Sequence, residues 1–212
     1  MPLASMSLRD YLEESADLLL RSAAAVSQDA VDRAVGAVVR ALTAGKPLLV
    51  CGNGGSAADA IHITGELVGR FLLERRALRV ICLSDNPATL TAWSNDCQFE
   101  TVFARQVEAY GDEGAVLLGI STSGTSRNVV CAFEKARQMG MVTIALTGEG
   151  GGRLAPLSDH LLAAPSRHTP LIQQVHLCLY HYLCEHIERC MAETAASDSD
   201  FQVDPAHRRD DV

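Results

Sequence analysis

The chain has 212 residues, 48% of them hydrophobic, and a formal net charge of −8 at pH 7. That length suits a single domain with one substantial core, and the acidic balance argues against non-specific nucleic-acid binding, which needs clustered Lys and Arg. No apolar run approaches the roughly 20 residues of a membrane span, so neither a nucleic acid nor a membrane is an expected partner.

Two helices are predicted at the start of the chain, within residues 7–44. Asp29 is the expected N-cap of the second helix, and Gly45 is its expected stop. The positions that recur at helical spacing are Leu8, Tyr11, Leu12, Ser15, Leu19 and Ala23 in the first helix, and Val31, Ala34, Val35, Val38 and Leu42 in the second.

Strand–loop–helix repeats are predicted from Pro47 onward. Several strands are unbroken apolar runs, as expected for parallel strands covered on both faces. The strands are 48–51, 79–83, 115–120, 142–146 and 160–163, the helices between them are 56–75, 98–110 and 125–139, and a long helix follows at 169–192. The pattern predicts one doubly wound α/β domain over residues 1–193, followed by a disordered acidic tail at 194–212.

The cysteines and the first 20 residues predict a cytoplasmic protein. The seven cysteines are odd in number and form no CxxC pair, which favours reduced thiols over a disulfide framework. Acidic residues stand in the first 20 positions, where a signal peptide would need a basic start and an apolar block.

Two loops are candidate ligand sites, because ligands of open parallel sheets bind beyond the C-terminal ends of the strands. After the first strand, glycines at 52, 54 and 55 let the backbone approach a ligand, and the helix that starts near Ser56 points free N–H groups at the same place. After the third strand, five hydroxyl side chains occupy the six positions 121–126. Such short donors suit a phosphate; the alternative is that Thr125 or Ser126 only caps the next helix.

The first loop also matches a loose dinucleotide fingerprint, G-x-G-x-x-A, at Gly52, Gly54 and Ala57. The acidic residue after the next strand, Asp85, lies farther on than the expected spacing of about 20 residues. A dinucleotide enzyme would also have no need of the hydroxyl-rich second loop, so we do not favour this alternative.

His62 and Glu66 are one helical turn apart on the helix after the first loop. This pair suits proton transfer or metal ligation, and its alternative is an ordinary surface pair. The last helix carries polar residues among apolar ones, which need partners if they are buried. Spacing alone does not decide which of them face the site: Gln173, Gln174, His176 and His181.

Several separated motifs together resemble the phosphoheptose isomerases of the sugar isomerase (SIS) domain superfamily. The likeness runs from about residue 8 to 191 and is carried by CGNGGSAADAIH at 51–62, SND at 94–96, LLGISTSGTS at 117–126, LTG at 146–148 with Gly151 and Gly152, and TPLIQ at 169–173 followed by His181. The resemblance implies a three-layer αβα domain with a mostly five-stranded, flavodoxin-like parallel sheet. It also implies an enzyme that converts sedoheptulose 7-phosphate to D-glycero-D-manno-heptose 7-phosphate.

The resemblance further implies residue roles, and it selects Gln173 over Gln174. Glu66 and His181 match the acid–base pair. The residues expected to hold the phosphate are Ser121, Thr122, Ser123 and Ser126, and those expected to bind the rest of the substrate are Asn53, Gly54, Ser56, Asp96 and Gln173. One Zn²⁺ per subunit is expected on His62, Glu66, Gln173 and His181, in a homo-oligomer, a tetramer, whose sites are completed between subunits.

Two features leave alternatives open. A non-enzymatic relative in the superfamily binds the bacterial replication initiator and lacks the Glu and the late His, whereas this chain has both, at Glu66 and His181. A non-catalytic sugar-phosphate-binding regulator is therefore the alternative function. Trp93, just before the SND motif, either narrows the pocket or fills the core. The anomer and the pathway, whether lipopolysaccharide, capsule or antibiotic sugar, stay open.

Overall fold

The computed structural model describes residues 6–197, with residues 195–197 described by their backbone alone. Its α-helices are α1 (Leu8–Ala25), α2 (Gln28–Thr43), α3 (Gly55–Val68), α4 (Pro87–Asp96), α5 (Val102–Tyr110), α6 (Arg127–Gln138) and α7 (Thr169–Ser197). Its strands are β1 (Leu48–Gly52), β2 (Val80–Cys82), β3 (Val116–Ser121), β4 (Val142–Thr147) and β5 (His160–Ala163). Short 3₁₀ turns cover Phe99–Thr101 and Gly152–Leu157.

The five strands form one parallel sheet in the order β2-β1-β3-β4-β5. This is the flavodoxin-like order, and it confirms the predicted fold class. All residues of β1 and β3 are buried, as the unbroken apolar runs in the sequence predicted. The sheet therefore needs a layer of helices on each face.

Successive side chains of a strand point to opposite faces of the sheet, so the strands contribute to two separate cores, one on each face. Leu48 and Val50 of β1 point into a cluster built with α2, α3 and α7, whereas Leu49 and Cys51 point into a cluster built with α5 and α6. The three-layer αβα arrangement follows directly. The strand ends that carry the two candidate ligand loops lie side by side, because β1 and β3 are neighbours.

His176 joins α7 to the sheet. It is fully buried, and its Nε2 lies 3.0 Å from the carbonyl oxygen of Thr147 at the end of β4. Burial lowers the pKa of His176, and the hydrogen bond to Thr147 opposes this only in part. A neutral ring that donates to a strand carbonyl has a structural role.

Several predicted boundaries were wrong for local reasons. The second helix is capped by Ser27, whose side chain accepts from the N–H of Ala30, and not by Asp29; Gly45, with φ 73°, does end that helix. The helix α4 was missed altogether, although Asn86 caps it and Pro87 stands in its first turn.

On α1, the expected contact residues Leu8 and Leu12 are exposed, and the buried positions are Ser15, Leu18 and Ser22.

The largest error concerns the helix predicted at 56–75, which ends at Val68. The backbone N–H groups of Phe71, Leu72 and Leu73 donate to the carboxylate of Glu188 on α7. Because these three amides bond to a side chain of a distant helix, they do not continue the i→i−4 ladder. Gly69 is the C-cap of the helix and a local stop signal that the prediction did not use, and the bonds to Glu188 hold the following segment outside the helix.

The C-terminal end of the chain agrees with the prediction only in part. The first four residues of the predicted tail, 194–197, continue α7. The remaining tail positions lie outside the described residues, so their disorder, like the extent of the domain over 1–193, stays a prediction. Within residues 6–197, no helix combines the length and the apolar composition that crossing a membrane would require.

Candidate active site

The loop after β1 is shaped by glycines. A Cβ on Gly52 would overlap the carbonyl group of Ser56, and Gly54 has φ 56°, a backbone conformation that favours glycine. The helix α3 starts at once at Gly55, with Ser56 buried in its first turn. The tight turn therefore presents a helix N-terminus at the edge of the sheet.

The hydroxyl loop at 121–126 is held by bonds among its own side chains. Ser121 Oγ donates to Ser126 Oγ over 3.0 Å, and Ser123 Oγ accepts from both the backbone N–H and the hydroxyl of Thr125. Ser126 occupies the N-cap position of α6 but makes no capping bond through its side chain. The alternative in which Ser126 exists only to cap the helix therefore does not describe this loop.

A pair of asparagines links the two loops. Asn53 and Asn128 exchange two side-chain hydrogen bonds of 2.9 and 2.8 Å. Asn128 is buried at the start of α6, and its oxygen also accepts from the N–H of Val129. Sequence reasoning missed Asn128, because nothing in the spacing of the two residues, 75 positions apart, marks them as partners. The contact of Asn53 with a sugar stays a prediction.

The structure brings Glu66, His62 and His181 together between α3 and α7. His62 Nε2 lies 2.9 Å from Glu66 Oε1, and the rings of His62 and His181 are 5.0 Å apart. One ligand atom from each of the three residues lies within 4.8 Å of the others. We call these three residues the α3–α7 trio. It contains a carboxylate and two imidazoles in reach of one small molecule or ion.

A buried tyrosine stands behind the trio and was missed by sequence reasoning. Tyr180, 1% exposed, has its hydroxyl 3.0 Å from His62 Nδ1. Because an ionised carboxylate can only accept, the contact with Glu66 needs the proton on His62 Nε2, while the hydroxyl of Tyr180 lies within hydrogen-bonding distance of Nδ1. Burial raises the pKa of Tyr180, with Asp59 as a further cause, and burial also raises the pKa of Asp59 itself. The ring of His62 is thus fixed at both nitrogens.

The trio does not lie beside the hydroxyl loop in the same chain. His62 and Glu66 stand seven and eleven residues after Gly55, which is about 10 and 16 Å along the axis of α3. Thr122 of the hydroxyl loop contacts Thr169 at the start of α7, 3.4 Å apart, whereas His181 lies twelve residues further on, about 18 Å along that helix. One chain therefore carries two separate parts of a site.

The other predicted residues also lie apart from the trio. The amide of Gln173 rests against Gly55, so that a Cβ there would overlap it, about 12 Å along α7 from His181. Gln174 donates to the hydroxyl of Tyr11, 3.1 Å away, and is used in packing α1. Asp96 is exposed at the end of α4, where it accepts from Asn95.

Trp93 belongs to the core side of α4. Its ring packs against the α5–α6 cluster, its Nε1 donates to Thr101 Oγ1 over 2.8 Å, and the guanidinium of Arg105 lies 5.0 Å from the ring centre. The indole is therefore held by α4, α5 and the turn between them. Of the two readings for Trp93, the structure favours the one in which it fills the core.

Comparison with known proteins gives concordant matches. The SIS domain family model matches residues 10–148. A phosphoheptose isomerase from Crocosphaera subtropica is 52% identical over 174 residues, covering 82% of this chain and 89% of that protein. The solved phosphoheptose isomerase from Francisella tularensis superposes with a TM-score of 0.82 at 39% identity, covering 86% and 96% of the two chains. That from Neisseria gonorrhoeae gives 0.80 at 36% identity, covering 86% and 97%.

Proposed function

The chain belongs to the SIS domain family and, within it, to the phosphoheptose isomerases, and from this premise we propose how its residues carry out the reaction. It is an aldose–ketose isomerase that converts sedoheptulose 7-phosphate to D-glycero-D-manno-heptose 7-phosphate. The observation that carries the site assignment is the meeting of Glu66 and His181 in the α3–α7 trio. The non-catalytic alternative is not favoured, because this chain keeps both groups.

The trio supplies the groups that an enediolate mechanism needs. In the open-chain ketose, a base removes one proton from C1, the C1–H electrons form the C1–C2 double bond, and the carbonyl oxygen at C2 takes up a proton. Return of a proton to C2 and loss of the proton on O1 then give the aldose. Glu66 and His181 share the carbon-bound and oxygen-bound protons, and acid–base groups of this kind contribute typically 10²–10⁴-fold.

The hydroxyl loop is the proposed phosphate site. Ser121, Thr122, Ser123 and Ser126 offer short donors close to the N-terminus of α6, where the helix dipole favours an anion. Asn53, Gly54, Ser56 and Asp96 are proposed to contact the sugar chain, together with Gln173. Binding energy from the phosphate, remote from C1 and C2, would hold the reacting carbons in register.

We propose that the complete site forms between subunits of a homo-oligomer, a tetramer in the family. Two observations support this: the trio and the hydroxyl loop are separated along α3 and α7, and apolar side chains beside the trio are exposed. Ile61 is 49% exposed, Leu72 57% and Leu73 40%, which is typical of a surface covered by another subunit. A monomer mass from light scattering would contradict the proposal.

A zinc ion fits the chemistry of the trio. Two imidazoles and a carboxylate are ligand types that zinc takes, and the hydroxyl of Tyr180 on His62 Nδ1 is the outer partner that orients such a ligand. His62, Glu66 and His181 would hold the ion, with Gln173 as the fourth ligand if assembly brings it near. When bound, zinc supplies Lewis-acid polarisation of the substrate carbonyl.

A cytoplasmic location completes the proposal. All seven cysteines are free, and three of them, Cys51, Cys82 and Cys184, are buried. Thiols kept reduced in this number fit a reducing compartment better than an oxidising one.

The activity is tested by incubating the purified protein with sedoheptulose 7-phosphate and following the aldose by NMR. We expect an aldose signal to grow to equilibrium, because the trio can move the proton between C1 and C2. Sedoheptulose without the phosphate is the matched control and should turn over far more slowly, since the hydroxyl loop has nothing to bind. Folded protein that leaves the phosphorylated ketose unchanged would contradict the function.

Metal dependence is tested in the same assay. Treatment with a chelator should lower turnover, and added Zn²⁺ should restore it, with one ion per subunit measured by atomic emission. The variant His62→Gln should bind zinc less tightly, because it removes one imidazole from the trio. Full turnover by protein shown to be free of metal would leave the acid–base mechanism in place and remove zinc from it.

A further inference from the structure

We infer that Arg75 and Glu188 are positioning residues, which hold Glu66 and His181 at the separation that proton transfer needs. The inference rests on the proposed function. Both side chains are only 1% exposed, and Arg75 Nη2 lies 3.1 Å from Glu188 Oε1. Neither side chain makes a hydrogen bond or an ion pair with a side chain of the trio, so any effect on the chemistry must act through the backbone and through Phe71.

Glu188 holds the segment after α3 from the side of α7. Its carboxylate accepts from the N–H groups of Phe71, Leu72 and Leu73 at 2.9, 2.6 and 2.9 Å. Glu188 follows His181 by seven residues, nearly two turns, and so lies on the same side of α7. Burial alone would raise the pKa of Glu188, but the three N–H donors and Arg75 outweigh it and lower that pKa. The carboxylate therefore stays ionised.

Arg75 holds the end of α3. Its Nη2 donates to the carbonyl oxygen of Glu66 over 2.8 Å, and its Nη1 donates to those of Gly69 and Arg76. The last carbonyls of a helix have no partner within the helix, and a cation there is favourable for the helix dipole. The guanidinium thus fixes the backbone of Glu66 itself.

The segment between the two residues places an aromatic ring on His181. Phe71 stacks on His181 with the ring centres 5.7 Å apart and the planes 29° apart, and the N–H of the same Phe71 is bonded to Glu188. The ion pair of Arg75 and Glu188 therefore links α7 to the backbone of Glu66 and to the segment whose Phe71 ring packs on His181. The burial of two opposite charges does not by itself show that the pair stabilises the fold. This set of contacts instead fixes the distance between α3 and α7.

The test compares Glu188→Gln with wild type, using sedoheptulose 7-phosphate. The amide keeps the shape but turns an NH₂ group toward backbone N–H donors or Arg75, so the connection breaks. We expect kcat to fall by about 10–100-fold, because a misplacement of about 1 Å can cost on the order of 10²-fold. KM should stay close to wild type, because the phosphate and the sugar chain bind elsewhere. Both proteins are assayed where circular dichroism shows them folded.

The matched control is Val107→Ala on α5, which is buried in the cluster on the opposite face of the sheet. It should lower the melting temperature and leave kcat unchanged, which separates positioning from loss of stability. A second variant, Phe71→Leu, keeps the ion pair and removes only the ring on His181. It should lower kcat severalfold with KM unchanged, and it decides the matter if Glu188→Gln does not fold.

The outcomes separate the two proposals. The positioning role alone would be overturned if the wild type turns over the substrate and the folded Glu188→Gln variant keeps its kcat within twofold of the wild-type value. The positioning role would also be overturned if Val107→Ala lost as much kcat as Glu188→Gln. Where Glu188→Gln is unfolded, a Phe71→Leu variant with wild-type kcat would overturn it. Wild-type protein without turnover would reject the proposed function, and the positioning role with it.

Discussion

Glu66→Gln should fold like the wild type and lose turnover by about 10²–10⁴-fold, the contribution typical of one general acid–base group. The amide has the shape of the carboxylate, and its oxygen can still accept from His62 Nε2, now 2.9 Å from Glu66 Oε1. What it cannot do is take up or release a proton during the reaction. The expected result is therefore a loss of kcat with little change in the unfolding midpoint.

The comparison needs a matched substitution and a second variant. Glu108→Gln on α5 makes the same chemical change at an exposed position paired with Arg105, and it should leave kcat unchanged. His181→Ala should lose turnover to a similar degree, because it removes the other group of the pair. Rates near wild type in either Glu66→Gln or His181→Ala would remove these residues from catalysis.

Gly124→Ala should damage the hydroxyl loop severely. Gly124 has φ 64°, and a Cβ there would overlap the carbonyl oxygen of Gly151, which belongs to the loop after β4. The strained backbone conformation costs roughly 1–2 kcal/mol for a residue with a side chain, and separating the two loops adds to that cost. We expect a lower free energy of unfolding in urea and a large rise in KM for the phosphorylated ketose.

Gly114→Ala isolates the backbone part of this effect. Gly114 has φ 79°, but a Cβ there would meet no atom within 4 Å. It should therefore show only the roughly 1–2 kcal/mol of the strained conformation, with KM unchanged. Equal losses of stability in the two variants, with KM unchanged in both, would show that contact between the loops does not shape the phosphate site.

The parts of the fold that could be predicted from the sequence are those set by local composition. The strands β1 and β3 are unbroken apolar runs because both faces of the sheet are covered, and their order along the chain fixes where their loops emerge. The hydroxyl loop can be recognised in the sequence because its residues are consecutive. The pair of His62 and Glu66 can be recognised because the two residues are one helical turn apart.

The parts that could not be predicted depend on residues far apart in the chain. The segment after α3 is held by Glu188, more than a hundred positions later. The pairing of Asn53 with Asn128 and of His62 with Tyr180 likewise joins distant segments. Nothing in the sequence marks Tyr180 as a partner of His62, because only the packed structure shows what its hydroxyl contacts.

The length of α7 has a consequence for which changes the chain can accept. His176, Tyr180, His181 and Glu188 are spaced along one uninterrupted helix, each facing a different partner on β4, α3 or the segment after α3. Inserting a single residue between His176 and Tyr180 would turn everything downstream by about 100° and advance it by about 1.5 Å. An exchange of one side chain would leave this spacing intact, whereas the gain or loss of a single position would separate these residues from their partners.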